Sequence, residues 1–293
     1  MFQRLIKNDL KENKVSMLVI GLFLLLTLTL SFAATRLTVS LTNSIERFVE
    51  TAKSPHLLQM HSGSIDRERL KNFVQQHAEI ADWQVTDFVN LEGTAIRING
   101  QDSLQDSSQD NGFSSQNQHF DFLLDQHNRP AQPQPGQVYI PLYYYNSGKI
   151  KIGDQIRVGK LQLTVQGFIR DAQMNAGLVS SKRFLISQTD LQTLKKEAFA
   201  SNENLIAFRV HKLSQISAIE QAYKNAELES NGPPMITYPT IKMINGFNGA
   251  LVILVMGLLV VAIIGITFLC MRFVLLTKIQ EDLQQIAVMK VMG

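Results

Sequence analysis

The residues that could do chemistry are few and dispersed. Six histidines, His56, His61, His77, His119, His127 and His211, stand at polar positions, with no spacing that gathers a metal or pairs a base with a nucleophile. Each reads as a surface or capping residue. Gly148-Lys149 is followed by Ile150 and lacks the upstream glycine of a phosphate-binding loop. No G-x-S-x-G or H-E-x-x-H occurs. The aspartates of residues 101–118 (QDSLQDSSQDNGFSSQNQ) fit no calcium-loop pattern. No cofactor, metal or catalytic constellation is expected, and the chain reads as a non-enzyme. What remains are binding features. Tyr143, Tyr144 and Tyr145 read either as a binding surface or as half-buried sheet residues. Gly153-Asp154 in KIKIGDQIRV forms a tight turn between two short alternating stretches.

The elements that position these residues are bracketed by two apolar runs. Residues 249–271 (GALVILVMGLLVVAIIGITFLCM) carry no charge and are long enough to cross a hydrocarbon core of about 30 Å. Residues 15–34 (VSMLVIGLFLLLTLTLSFAA) form the second run, read as a span. A cleaved signal ending near Ser31-Phe32-Ala33 is the alternative, against which stand its length and the long n-region with acidic residues. Between them the chain is polar and free of cysteine. The expected fold is therefore an α+β extracytoplasmic domain, residues 35–245, between transmembrane helices at 15–34 and 246–272. The spans account for 45% hydrophobic and only 18% charged residues, and the net charge of +3 gives no argument for nucleic acid. Cys270, the single cysteine, excludes a disulfide within the chain and reads as a packing residue or a palmitoylation site. The small residues Gly246, Ala250, Gly257, Ala262 and Gly265 either pack the second span on a neighbour or reflect ordinary glycine use in membranes.

Residues 1–14 place Phe2, Leu5, Ile6 and Leu10 at helical spacing among Arg4, Lys7, Lys11 and Lys14. That pattern predicts an amphipathic helix in the headgroup plane, or an ordinary solvated helix start, on the cytoplasmic side. Leu37, Leu41, Ile45, Phe48 and Val49 continue the helical period, so residues 35–53 read as a stalk running on from the first span, or as a separate surface helix. Further on, the pattern predicts a strand at 57–60 and a helix at 64–76 capped by Ser64 or Asp66. A strand region at 83–98 ends in the turn Asn99-Gly100. Residues 101–118 read as a mobile loop. A β-rich subdomain, about 119–185, holds strands at 119–125, 138–145 and 161–169 and two short ones around Gly153-Asp154. Residues 171–183 read as loop or helix start. A helix at 188–199 capped by Thr189 or Asp190, a strand at 205–210, a helix at 213–226 and a strand at 235–238 complete the domain. After the second span, residues 273–293 form a helix whose exposed apolar patch predicts docking on another protein.

Three stretches carry a resemblance to a known family. VYIPLYYYNSGKIKIGDQIRV followed by LQLTVQGFI, then FIRDAQMNAGLVSSKRFLIS, and finally QIAVMKVMG after the second span occur in the order found in the FtsX-like permeases of bacterial ABC transporters (MacB/LolC type). The chain resembles the N-terminal half of such a permease. The resemblance implies a MacB-like periplasmic core domain with a β-rich insertion, a bacterial plasma membrane location with both termini cytoplasmic, and a separate cytoplasmic ABC ATPase as partner. It implies that Gln285, Ile286, Val288, Met289, Lys290 and Gly293 contact that ATPase, with Gln285 standing where the family usually has Glu. It further implies mechanotransmission: ATP-driven closure pushes the segment 278–293, and the domain moves outside. Such systems expel or detach amphiphilic compounds, antimicrobial peptides or lipoproteins, or control wall hydrolases. The family continues with two more spans, so a second permease copy or a missing C-terminal half is expected beside the lipid bilayer.

Two other classes share parts of the pattern. A two-span receptor with a ligand-binding domain has the same topology, but it should continue into a long heptad-bearing output helix. An anchored extracytoplasmic enzyme would need a nucleophile–base or metal constellation.

Overall fold

The computed structural model describes residues 14–100, 102–104, 109–176 and 179–292. It separates into two units. One comprises the chain up to Asn43 and from Phe247 onward; the other is Ser44–Gly246.

The first unit is built from two helices. Helix α1 (Lys14–Thr51) is continuous from the first apolar run through the expected stalk, because nothing between Gly21 and Pro55 breaks the hydrogen-bond ladder. The last helix, α6 (Tyr238–Met292), is likewise unbroken, with Pro239 in its first turn where a missing N–H costs nothing. Both are long and apolar enough to cross a membrane, with mean hydropathy of 2.3 and 3.1. Side chains such as Leu28, Phe32, Val261 and Phe268 lie exposed on them, which suits lipid and not water. Thr27, Thr38 and Thr267 return their hydroxyls to the carbonyls of Phe23, Ala34 and Ile263 at 2.7–2.9 Å. A polar group on an apolar helix is thereby satisfied without an external partner. Gly249 lies against α1: a Cβ there would stand 3.2 Å from Leu41 Cδ1. Gly257 and Gly265 have no such neighbour among the described residues.

The second unit is organised by one sheet. Its strands are β1 (Leu57–Ser62), β2 (Ile80–Leu91), β3 (Ile96–Ile98), β4 (Asp102–Ser103), β5 (Asp110–Ser114), β6 (Gln137–Pro141), β7 (Gln155–Val158), β8 (Leu161–Ile169), β9 (Ser181–Ile186), β10 (Ser201–Val210) and β11 (Ile236–Thr237). They hydrogen-bond in the order β11-β1-β10-β2-β5-β9-β6-β8-β7-β3-β4. Helices α2 (Arg67–Gln76) and α5 (Ile216–Asn225) cover one half, burying Leu70, Phe73, Ile219 and Tyr223 on Leu57 and Phe208. Each such fully buried side chain stabilises the domain by about 1.5–3 kcal/mol. Asp66 caps α2, accepting from the Arg69 N–H at 3.0 Å. The other half packs its own core around Phe113 and Phe184, stacked 4.8 Å apart, with Tyr144 beside them. Two short helices, α3 (Leu142–Asn146) and α4 (Gln188–Leu194), belong to this half.

Several expectations change. Residues 101–118 were expected to be a mobile loop, yet they supply β4 and the central strand β5, buried from Asn111 to Ser114. The polar side chain of Asn111 is met inside by the Tyr144 hydroxyl at 2.5 Å. Gly112 is needed there because Phe88 crosses it: an added Cβ would fall 1.7 Å from the ring. Residues 101 and 105–108 lie outside the described residues. The β-rich block has its own core, but β5 and β9 join it to the flanking strands in one sheet, and it recruits strands from before residue 119. The expected strand at 119–125 is irregular, held by isolated bridges of Leu124 to Pro130 and Arg170. Pro141 ends β6, so the three tyrosines sit on α3 and not in a strand. Only the second strand around Gly153-Asp154 forms. The unanticipated strand β9 begins at Ser181, inside residues 171–183, and runs on to Ile186. Ser187, not Thr189 or Asp190, caps α4.

Candidate junction at the domain ends of the two long helices

Helix α1 ends inside the domain by a local device. Lys53 adopts a left-handed φ of 45°, and the Ser54 N–H reaches back to the Val49 carbonyl at 2.9 Å. This is a Schellman-type stop with lysine in the position glycine usually takes. Two carbonyls at this stop are taken by the segment after β5. Asp121 N donates to Lys53 O at 2.9 Å, and Phe122 N donates to Ala52 O at 2.7 Å.

Helix α6 meets the same place. Val49 and Ala52 of α1, Ile241 of α6, Leu124 and Ala172 form one buried apolar cluster. The Asn245 amide donates to the Ala172 carbonyl at 2.6 Å, and Lys242 of α6 pairs with Glu46 of α1. Arg170 stacks its guanidinium over Phe48, 5.6 Å from the ring centre. Both long helices thus hold the turn that carries Ala172.

Behind that turn lies a buried charge network. Arg183 on β9 is fully enclosed, with Nη1 3.0 Å from Asp121 and Nε 2.7 Å from Asp171. Asp121 also receives Gln173 Nε2 on one oxygen and Asn117 Nδ2, at 3.0 Å, on the other. Asp171 caps its own turn, accepting from the Gln173 N–H at 2.8 Å. Burial would lower the Arg183 pKa, but Asp121 and Asp171 outweigh it and hold the guanidinium above its ordinary range. At Asp121 burial is the largest influence and raises the carboxyl, against the opposing charge of Arg183. Arg183 Nη2 and Gln173 Oε1 find no partner among the described residues, but the two ion pairs and the Asp171 turn still link Ala172 to the centre of the sheet.

His56 stands nearby and departs from the surface role expected of it. It is buried, accepts the Val210 N–H on Nδ1 at 2.9 Å, and meets the Tyr238 ring edge-on at 5.3 Å. Burial, reinforced by Arg209, lowers its pKa to about 4. The Tyr238 N–H, first in α6, donates to the His56 carbonyl at 2.9 Å.

The sequence-predicted sites lie elsewhere. Gly153 has a φ of 93° and Asp154 closes the turn, accepting from the Lys151 N–H at 2.8 Å and from the Asn99 amide at 3.0 Å. The turn is structural: it ties the loop after β3 to the start of β7. Gln285, Ile286, Val288, Met289 and Lys290 lie in the final stretch of α6, while Gly293 lies outside the described residues. Of the tyrosines, Tyr144 is buried and Tyr145 stacks on Phe168 at 4.5 Å. Among the described residues no cluster of His, Cys, Asp and Glu stands close enough to hold a metal. The junction itself went unforeseen. Its signal was a charge inside an apolar run, Asp121 in HFDFLLD and Arg183 in KRFLI, each of which demands a buried partner.

Neither a protein-family model nor a curated protein matches the chain. Among solved structures, it is similar to the extracellular domain of the noncanonic ABC-type transporter YknZ from Gram-positive bacteria, at 12% identity and a TM-score of 0.33. That match covers 62% of this chain and 98% of the other. It is also similar to the periplasmic region of MacB from Actinobacillus actinomycetemcomitans, at 10% identity and a TM-score of 0.34, over 68% of this chain and 96% of the other. Likeness at this level assigns neither activity nor partners to the present chain.

Proposed function

We propose that this chain is the membrane subunit of an ABC transporter. A separate cytoplasmic ATPase drives it, and it passes motion to a domain outside the cell. The observation that carries this reading is the junction: the domain ends of α1 and α6 grip one turn, at Ala172, which Arg183 links to the sheet. A shift of either helix at Glu46 or Asn245 acts directly on residues 170–174. Two further features support it. The three motif stretches occur in the order of the FtsX-like permeases, and neither apolar helix run carries a charge that could line a conduction path. Basic residues at Arg4, Lys7, Lys11 and Lys14 favour a cytoplasmic N-terminus in a bacterial plasma membrane. A helical C-terminal segment ending in QIAVMKVMG is then the ATPase contact. A second permease copy or a chain with further spans completes the membrane part. The outside partner is a peptide, lipoprotein, amphiphile or wall hydrolase.

The test is affinity capture of the ATPase encoded beside this chain, using the full chain in detergent. Capture is expected from the intact chain and not after removal of residues 285–293. Undiminished capture after that removal would sink the ATPase assignment. An Asn245→Leu variant should still capture the ATPase while losing the coupled output.

A further inference from the structure

The Gln/Asn-rich run leaving β5 does more than join elements. Ser115, Gln116, Asn117 and Gln118, together with Gln132 and Gln188, line a cavity of about 550 Å³. Phe122, Pro130, Pro133 and Ile186 supply apolar wall, and no charged side chain takes part. The volume falls within the usual range for a small-molecule site. Ser115–Gln118 and Gln188 also border an adjoining cavity of about 240 Å³ that reaches Gln84 and Thr86, where Arg67, Asp87 and His119 enter the lining.

The amides of this groove divide into two sets. Gln116 and Asn117 are spent inside the protein. Gln116 donates to the Leu123 and Ala131 carbonyls at 2.8 and 3.2 Å and accepts from the Leu123 N–H at 3.1 Å. Asn117 is held by Asp121 and by the Thr86 hydroxyl at 2.6 Å. These bonds fix the backbone of the wall. Gln118, Gln132 and Gln188 are exposed and make no hydrogen bond within the chain among the described residues. Each offers two N–H donors and a carbonyl acceptor on a neutral group.

We propose that this groove binds a neutral saccharide. Its hydroxyls both donate and accept, matching amides that do the same, and the C–H faces of its rings suit the surface of Phe122 and the two prolines. An ionic ligand finds no countercharge in the main cavity. A peptide added as a further strand would need a free strand edge. β5 is paired with β2 and β9, and β9 with β5 and β6, so the strands flanking the groove offer none.

The test is calorimetric titration of the full chain in lipid nanodiscs with maltotetraose and, separately, with chitotetraose. Saturable binding of at least one is expected at millimolar concentration or below. Gln118→Ala with Gln188→Ala should weaken it by about twenty-fivefold, at roughly fivefold per amide hydrogen bond lost. Thermal melting should be unchanged, since both side chains are exposed. Failure of both sugars to bind saturably overturns the proposal. So does binding that ignores the double substitution, or saturable binding of a neutral Gln/Pro decapeptide in place of either sugar.

Discussion

Two groups of polar side chains meet at the segment after β5, the junction network and the groove amides, and they are used in opposite ways. At the junction, Arg183 and Asp121 are enclosed and bond each other and Asp171, Gln173 and Asn117. In the groove, Gln118, Gln132 and Gln188 face solvent and spend none within the chain. Asn117 belongs to both regions: its side chain serves the junction while its neighbours line the groove. Paired, charged and buried groups fix geometry; unpaired, neutral and exposed groups are available to something else.

Removing one member of the junction breaks this contrast most strongly. Arg183→Ala leaves Asp121 and Asp171 buried without their counter-ion, and a loss of about 3–5 kcal/mol of domain stability is expected. The single tryptophan, Trp83, packs partly against the flanking core, so its fluorescence through a denaturant titration reads the loss.

Acid sharpens the same contrast, because amides do not titrate and His56 does. With the folded pKa near 4 against 6.5 for the free side chain, the unfolded chain takes a proton that the folded chain refuses. The domain is therefore fully stable above about pH 6.5 and loses up to about 3 kcal/mol as the pH falls to about 4. Melting followed at pH 7 and pH 4.5 should show this loss, and His56→Gln should flatten it. At the far end of the scale, Gln188→Ala or Gln132→Ala should change stability by less than about 0.5 kcal/mol in the same assay. A loss as large as that of Arg183→Ala would show that the groove amides are structural after all.

Where local chemistry decides, the sequence is a good guide. The uninterrupted apolar runs become α1 and α6, Asp66 caps α2, and Asn99-Gly100 turns between strands. Where distant partners decide, it is a poor one. Composition marks residues 101–118 as unable to order themselves. Asn111 needs the hydroxyl of Tyr144, and Gly112 needs the ring of Phe88, before β5 can be buried. On β9, Lys182 looks unfit for an interior strand until its ammonium finds the carbonyls of Ala176, Val179 and Ser181 and the face of Tyr143 at 5.0 Å. Burial still lowers that ammonium to about pKa 8. The junction was hidden for the same reason, since Asp121 and Arg183 lie far apart in the chain.

The strand order also sets a timetable for assembly. β1 is the first strand made, yet its two neighbours, β10 and β11, are the last. β5 cannot gain its second edge until β9 has been synthesised. A sheet closed by such long-range pairings folds slowly, because the entropy of large loops is lost before contacts repay it. Until Val210 has emerged, the leading half of this domain carries unpaired strand edges, and it is then that a chaperone or a neighbouring nascent chain would find them.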